Sequence, residues 1–191
     1  IPIFVDDGRD ACGLTEACVA ADATVVEVTC RRPEALHEIR RIKTRWPHLT
    51  VLAGSTVDDD RIARYITGRG SPLPTIDQLA DAGADGFVSI FPFCRQTIHQ
   101  YAATHLLVPG VSTLGEAYSM IAQGAHFAKM VLTPAETIAL YTSRPTHGIV
   151  PFLVTGSVTH DQLDTYVKNG VVLLAGGWDI MLGSDSHGDS L

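Results

Sequence analysis

The chain is short of positive charge: 14 lysines and arginines stand against 21 aspartates and glutamates in 191 residues, a formal net charge of -7 with histidine neutral. No Lys/Arg run exceeds a pair, so nothing could track a nucleic-acid phosphate backbone, and no nucleic-acid partner is expected. A small anion needs only one or two local cations and is not excluded. No apolar run approaches the roughly 20 residues that span a bilayer. The opening residues read as a strand rather than a signal peptide, so a soluble cytoplasmic protein without a membrane partner is expected. Cysteine is scarce as well. Cys12, Cys18, Cys30 and Cys94 lack C-x-x-C spacing and sit among apolar or helical residues, which reads as buried, reduced thiols rather than disulfides. The eight histidines show neither H-x-x-x-H nor H-E-x-x-H spacing, so no metal site is expected. There is no initiator Met either; the chain opens directly on a strand, and a preceding segment is expected.

What is present is a core-forming composition, 46% hydrophobic, enough for one core and too little chain to need two. Short β-branched runs alternate with longer amphipathic stretches throughout, the pattern of successive βα units around a parallel sheet. Strands are predicted at Ile1–Val5, Thr24–Thr29, Thr50–Ala53, Gly86–Ile90, His105–Val108, His126–Leu132, Ile149–Val154 and Val171–Ala175. That set, spaced about 25 residues apart, predicts an α/β protein, a single-domain (β/α)8 TIM barrel over residues 1–182. Pro33 is placed in the first turn of one helix, Asp58 to Asp60 at the start of the next, and Ser112-Thr113 with Glu116 as a capping box. Gly83 and Gly124 each end a helix before a strand. A doubly wound open sheet is the competitor, but Asp6-Asp-Gly-Arg9 is not the Gly-rich turn it would want. Two regions depart from a minimal barrel. Residues 65–75, rich in Gly and Pro, predict a long loop, and the Ser/Asp/Gly-rich residues 183–191 predict a disordered tail with no clear final helix.

In barrels of this type the reacting groups sit at the C-terminal ends of the strands. Lys129 stands out because it interrupts Phe127-Ala-Lys-Met-Val-Leu132, which otherwise reads as a buried strand. A buried ammonium is either paired or driven toward the neutral amine, and a neutral amine attacks ketones to form an imine. The bland alternative is a strand-edge lysine whose head reaches water. Glu27, in Val25-Val-Glu-Val-Thr29, shares a face with Val25 and Thr29. If that face is the bore, its carboxyl has a raised pKa suited to proton transfer; otherwise it is a buried carboxylate paired to a structural cation such as Arg31. Arg31 or Arg32 could hold a substrate carboxylate, although surface arginine is commoner. Thr155-Gly156-Ser157 and Gly176-Gly177 end strands where barrels often bind anions through backbone N–H groups, or where glycine simply eases a turn.

Taken in order, these residues resemble the KHG/KDPG aldolase family. Val26-Glu-Val-Thr-Cys-Arg31-Arg-Pro33 is similar to its E-V-T-x-R-x-P segment, Leu52-Ala-Gly-Ser-Thr-Val57 to G-A-G-T-V, and Val108-Pro-Gly-Val-Ser-Thr113 to P-G-x-x-T. Ala128-Lys129 resembles the start of K-F-F-P-A-E, Val154-Thr-Gly156 resembles P-T-G-G, and Ala175-Gly-Gly-Trp178 resembles G-G-S-W. The likeness covers nearly the whole chain except residues 65–75 and the tail. It implies Lys129 as Schiff-base lysine, Glu27 as proton-transfer group and Arg31 as carboxylate ligand. It also implies Ser55 or Thr56 on the pyruvate side, and Pro92, Thr155, Gly156, Gly176 and Gly177 lining the site. It further implies a homotrimer, a 2-keto acid substrate of the 2-keto-4-hydroxyglutarate or 2-keto-3-deoxy-6-phosphogluconate kind, and neither metal nor organic cofactor. The departures fall at the far end of the substrate: Ser157, Trp178 in place of a phosphate-binding serine, and a longer loop, Lys129-Met-Val-Leu-Thr-Pro134.

The expected function is therefore class I cleavage of a 2-keto-4-hydroxy acid to pyruvate and an aldehyde. Two alternatives remain open on sequence: a non-catalytic barrel acting as a binding or scaffold protein, and a different phosphate-barrel isomerase or decarboxylase in which Lys129 pairs with a substrate anion.

Overall fold

The computed structural model describes residues 1–4, 10–31, 33–68, 72–143, 149–156 and 158–177. Strands and helices alternate as β1 (Pro2–Phe4), α1 (Ala11–Ala20), β2 (Val25–Thr29), α2 (Ala35–Arg45), β3 (Thr50–Thr56), α3 (Asp60–Thr67) and α4 (Ile76–Asp81). They continue as β4 (Gly86–Ser89), α5 (Arg95–Tyr101), β5 (Leu106–Val108), α6 (Leu114–Gln123), β6 (Ala128–Val131), α7 (Ala135–Thr142), β7 (Phe152–Thr155), a 3-10 turn at His160–Gln162, α8 (Leu163–Lys168) and β8 (Leu173–Gly177). All pairings are parallel, in the order β5-β4-β3-β2-β1-β8-β7-β6. The remaining seam, between β5 and β6, is closed by a rung at residue 129: its N–H donates to Pro109 O at 2.8 Å and its carbonyl accepts from Val111 at 2.9 Å. The eight strands thus curl into a (β/α)8 barrel.

Period-two alternation sorts each strand into two faces. Outward residues such as Val26, Val28, Phe87, Leu107, Met130 and Phe152 pack under the helices, where α2 buries Ala35, Ile39 and Ile42 along one stripe. Inward residues form a separate cluster of Ile3, Leu52, Val88, Val108, Leu153 and Ala175, from β1, β3, β4, β5, β7 and β8. The two strands with no buried member in that cluster, β2 and β6, are the ones that carry Glu27 and Lys129.

The capping expectations hold: Thr113 and Glu116 form a capping box, Asp59 caps α3, and Gly83 and Gly124 take positive φ where their helices end. Several boundaries need correction. The interruption does not begin at Tyr65, because α3, whose start was expected at Asp58 to Asp60, continues through Thr67; α4 then starts at Ile76. β3 extends to Thr56, past Ala53, through a register shift at which Ser55 adopts φ +56. β7 starts at Phe152, not Ile149, since Pro151 has no N–H to donate and Ile149 is half exposed. α2 begins at Ala35, two residues after Pro33. Cys12, Cys18 and Cys30 are buried and free as expected, whereas Cys94 is exposed at the head of α5. Val5, Asp6 to Arg9, Arg32, Ser157, Trp178 and the tail 183–191 lie outside the described residues. Among the described residues no helix is long and apolar enough to cross a membrane.

Candidate active site

Lys129 and Glu27 face each other from opposite walls. In the strand order β2 and β6 are separated by β1, β8 and β7, so a side-chain contact between them can only cross the bore. Lys129 Nζ lies 3.6 Å from Glu27 Oε1, with side-chain exposures of 5% and 1%. That distance is an ion-pair contact too long for a hydrogen bond, and it leaves both ends room to shift. The lysine head does not reach bulk water, and the partner of Glu27 is Lys129 rather than Arg31.

Glu27 is held in an environment hostile to its charge. Burial pushes its carboxyl above the ordinary carboxylate range, and the Lys129 ammonium, with a smaller contribution from Arg31, pulls it back without cancelling the rise. Its second oxygen, Oε2, is buried and accepts no hydrogen bond. A buried acceptor left unmatched is unfavourable, and in a bore it marks the place where a hydroxyl or water belongs.

Gly54 makes this position possible. A Cβ there would stand 2.7 Å from Glu27 Cγ and 2.8 Å from Cδ, so any side chain on β3 would evict the carboxylate. Gly54 belongs to the turn set out above, but its role was not read from it. The available signal was a glycine inside a strand, which commonly marks close approach by another group.

The other candidates divide by what the fold does with them. Arg31 is exposed at the end of β2 and lines a cavity of about 550 Å³ with Ser55, Val57, Ile66, Leu73 and Ile90. Lys129 and Glu27 are not among its lining residues and lie deeper in the bore. Ser55, in its left-handed backbone, faces this cavity, whereas buried Thr56 donates its hydroxyl to Val88 O at 3.1 Å and serves the sheet. Thr155 is buried at the end of β7, and Gly156 follows at φ +82. The N–H of Gly176 is taken by Ile1 O at 3.1 Å, and Gly177 pairs with Ile3. Pro92 is exposed on the rim and lines no described cavity near the pair. Among the described residues no group of three or more His, Cys, Asp or Glu side chains could hold a metal ion.

The model of the KDPG and KHG aldolase family matches residues 1–187. The chain is 28% identical over 186 residues to a 2-dehydro-3-deoxy-phosphogluconate aldolase of Zymomonas mobilis, covering 95% of this chain and 81% of that one. It is 26% identical over 181 residues to the Pseudomonas aeruginosa enzyme of the same name, covering 92% and 74%. A KDPG aldolase from Legionella pneumophila, with pyruvate captured as a covalent carbinolamine, superposes with a TM-score of 0.67 at 22% identity over 94% of this chain and 84% of that one, a likeness of fold.

Proposed function

Because the chain belongs to the KDPG and KHG aldolase family, a family of aldehyde-lyases, we propose that it reversibly cleaves a 2-keto-4-hydroxy acid to pyruvate and an aldehyde through a Schiff base on Lys129. The observation that carries this reading is the buried Lys129–Glu27 pair spanning the bore with Glu27 Oε2 unmatched.

In this mechanism Lys129 passes a proton to Glu27, and Nζ adds to the C2 carbonyl of the keto acid. The carbinolamine oxygen takes the proton from Glu27 and leaves as water, giving an iminium. Glu27, again a carboxylate, removes the proton of the C4 hydroxyl. The C3–C4 bond breaks, its electron pair moves into the iminium to form an enamine, and the aldehyde departs. Protonation at C3 and hydrolysis of the imine release pyruvate and restore the amine. A carboxyl whose pKa is raised by burial suits both halves of this shuttle, since it holds a proton more readily than an exposed carboxylate does. Arg31 is the cation for the C1 carboxylate, with Ser55 beside it and Thr155 on the bore wall. The carbinolamine in the Legionella pneumophila protein supports the same first step. The shared fold alone would not support it, because barrels host many chemistries; the lysine and its carboxylate do. A trimer in the cytoplasm, the form and compartment expected from sequence, completes the proposal.

Incubation with pyruvate and borohydride is expected to attach a reduced pyruvyl group to the wild-type chain, detected by mass and lost in Lys129→Ala. An unmodified wild-type protein rejects the mechanism.

A further inference from the structure

We propose that Leu132 sets the substrate range at the aldehyde end, turning the site toward unphosphorylated 2-keto-4-hydroxy acids whose aldehyde half is apolar. The proposal rests on the Schiff-base reading above. In that reading the substrate is held at C2 by Lys129 and at C1 by a cation on the β2 side of the mouth. C1 and C3 leave the trigonal C2 in different directions, so anchoring C1 toward β2 turns C3, C4 and the rest of the chain toward the rim at the end of β6.

That rim is apolar and uncharged. A cavity of about 480 Å³ there is lined by Ile90, Val111, Met130, Val131, Leu132 and Pro134 together with three hydroxyl-bearing residues, all from the ends of β4, β5 and β6 and the head of α7, and none of them is charged. Val131 lies two residues beyond Lys129 on the same strand and is 40% exposed; Leu132 is 68% exposed. Apolar surface left open at the mouth of a site gains from being covered by an apolar ligand.

Leu132 also crowds the turn after β7 at Gly156. It adopts φ +52, a conformation uncommon for a bulky residue, and its N–H is fastened to Thr155 O at 2.9 Å. The result is that its side chain lies against the turn after β7: a Cβ on Gly156 would meet Leu132 Cδ2 at 3.0 Å and Cγ at 3.2 Å. Turns at this end of a barrel often bind anions, and here the Leu132 side chain stands against Gly156 in it. The neighbouring N–H of Gly176 is already spent on Ile1 O.

The test couples pyruvate to butanal, benzaldehyde or glyceraldehyde 3-phosphate and compares kcat/KM in wild type, Leu132→Gly and Leu132→Asn. Both replacements tolerate positive φ, so the turn is retained. Wild type is expected to favour the apolar acceptors by about tenfold or more, and both variants to shrink that ratio by about tenfold, the equivalent of uncovering one aliphatic side chain. A wild-type preference for the phosphorylated acceptor, or a ratio unmoved by either variant, overturns the assignment. Borohydride trapping separates the two layers: a protein that traps pyruvate yet prefers the phosphorylated aldehyde refutes the role of Leu132 alone. One that traps none refutes the Schiff-base reading and this assignment with it.

Discussion

Gly54→Ala is the smallest change that should disable the site while leaving every reacting atom in the sequence. The added methyl carbon would sit 2.7 Å from Glu27 Cγ and 2.8 Å from Cδ, where ordinary contacts begin at 3.4 Å. The carboxylate must therefore retreat by roughly 0.7 Å or more from a position where it is 1% exposed. Overpacking of this kind costs about 1–3 kcal/mol, which for a chain of this size lowers Tm by about 2–12 °C. The same retreat lengthens a Lys129–Glu27 contact that is already 3.6 Å, and a misplacement near 1 Å lowers turnover about 100-fold. Thermal unfolding gives the first quantity, and NMR-monitored exchange of pyruvate methyl protons with deuterium gives the second. Gly86→Ala is the control. Its methyl would meet Leu106 Cβ and O at 2.7 Å and Leu52 Cδ2 at 2.9 Å but neither Glu27 nor Lys129, so it should lose comparable stability and retain more exchange. If Gly54→Ala exchanged protons as fast as wild type, or if Gly86→Ala lost exchange equally, the link from Gly54 through Glu27 to catalysis would be wrong.

The pH dependence of stability should carry the signature of Glu27. Its folded pKa lies above the ordinary 4.5, so between those values the folded chain holds a proton that the unfolded chain has released. The stability this contributes is complete below pH 4.5 and is lost as pH rises through the folded value. Urea unfolding at a series of pH values above 4.5 should therefore show a decline in wild type that is flatter in Glu27→Gln; equal slopes would place the burden on another group. Arg31→Ala should raise KM for the keto acid about 10- to 100-fold, the loss of a charge-assisted contact, while saturating pyruvate still gives the borohydride adduct. Arg31→Lys should recover only part of that loss, since a point charge cannot replace a fork. An unchanged KM in both would remove Arg31 from the carboxylate site.

Much of this protein is legible before any coordinates. Eight apolar, β-branched runs at regular spacing point to a parallel sheet of βα units, and their number and spacing to a barrel. Lys129 and Glu27 were visible for a related reason: a charge in the middle of an apolar strand has to be explained. What the linear pattern could not supply is the distance between residues 102 positions apart, and it is closure of the sheet at the β5–β6 seam that turns them into a pair.

The finer assignments also waited for the fold. Alternation predicts that Ser55 and Thr56 face opposite ways, but not that a left-handed Ser55 shifts the register, turning Ser55 to the cavity and leaving Thr56 in the sheet. Gly54 and Leu132 owe their significance to what lies opposite them, Glu27 in one case and Gly156 in the other. The end of α3 was hidden by the Gly/Pro-rich residues after it, which signal interruption without saying where it starts. The sequence alone determined the architecture and the chemical types in the site, because burial and periodicity are local properties of a chain. Which of those groups touch, which is left unmatched and which blocks its neighbour was decided only by three-dimensional closure, since contact energies depend on separations that no local pattern encodes.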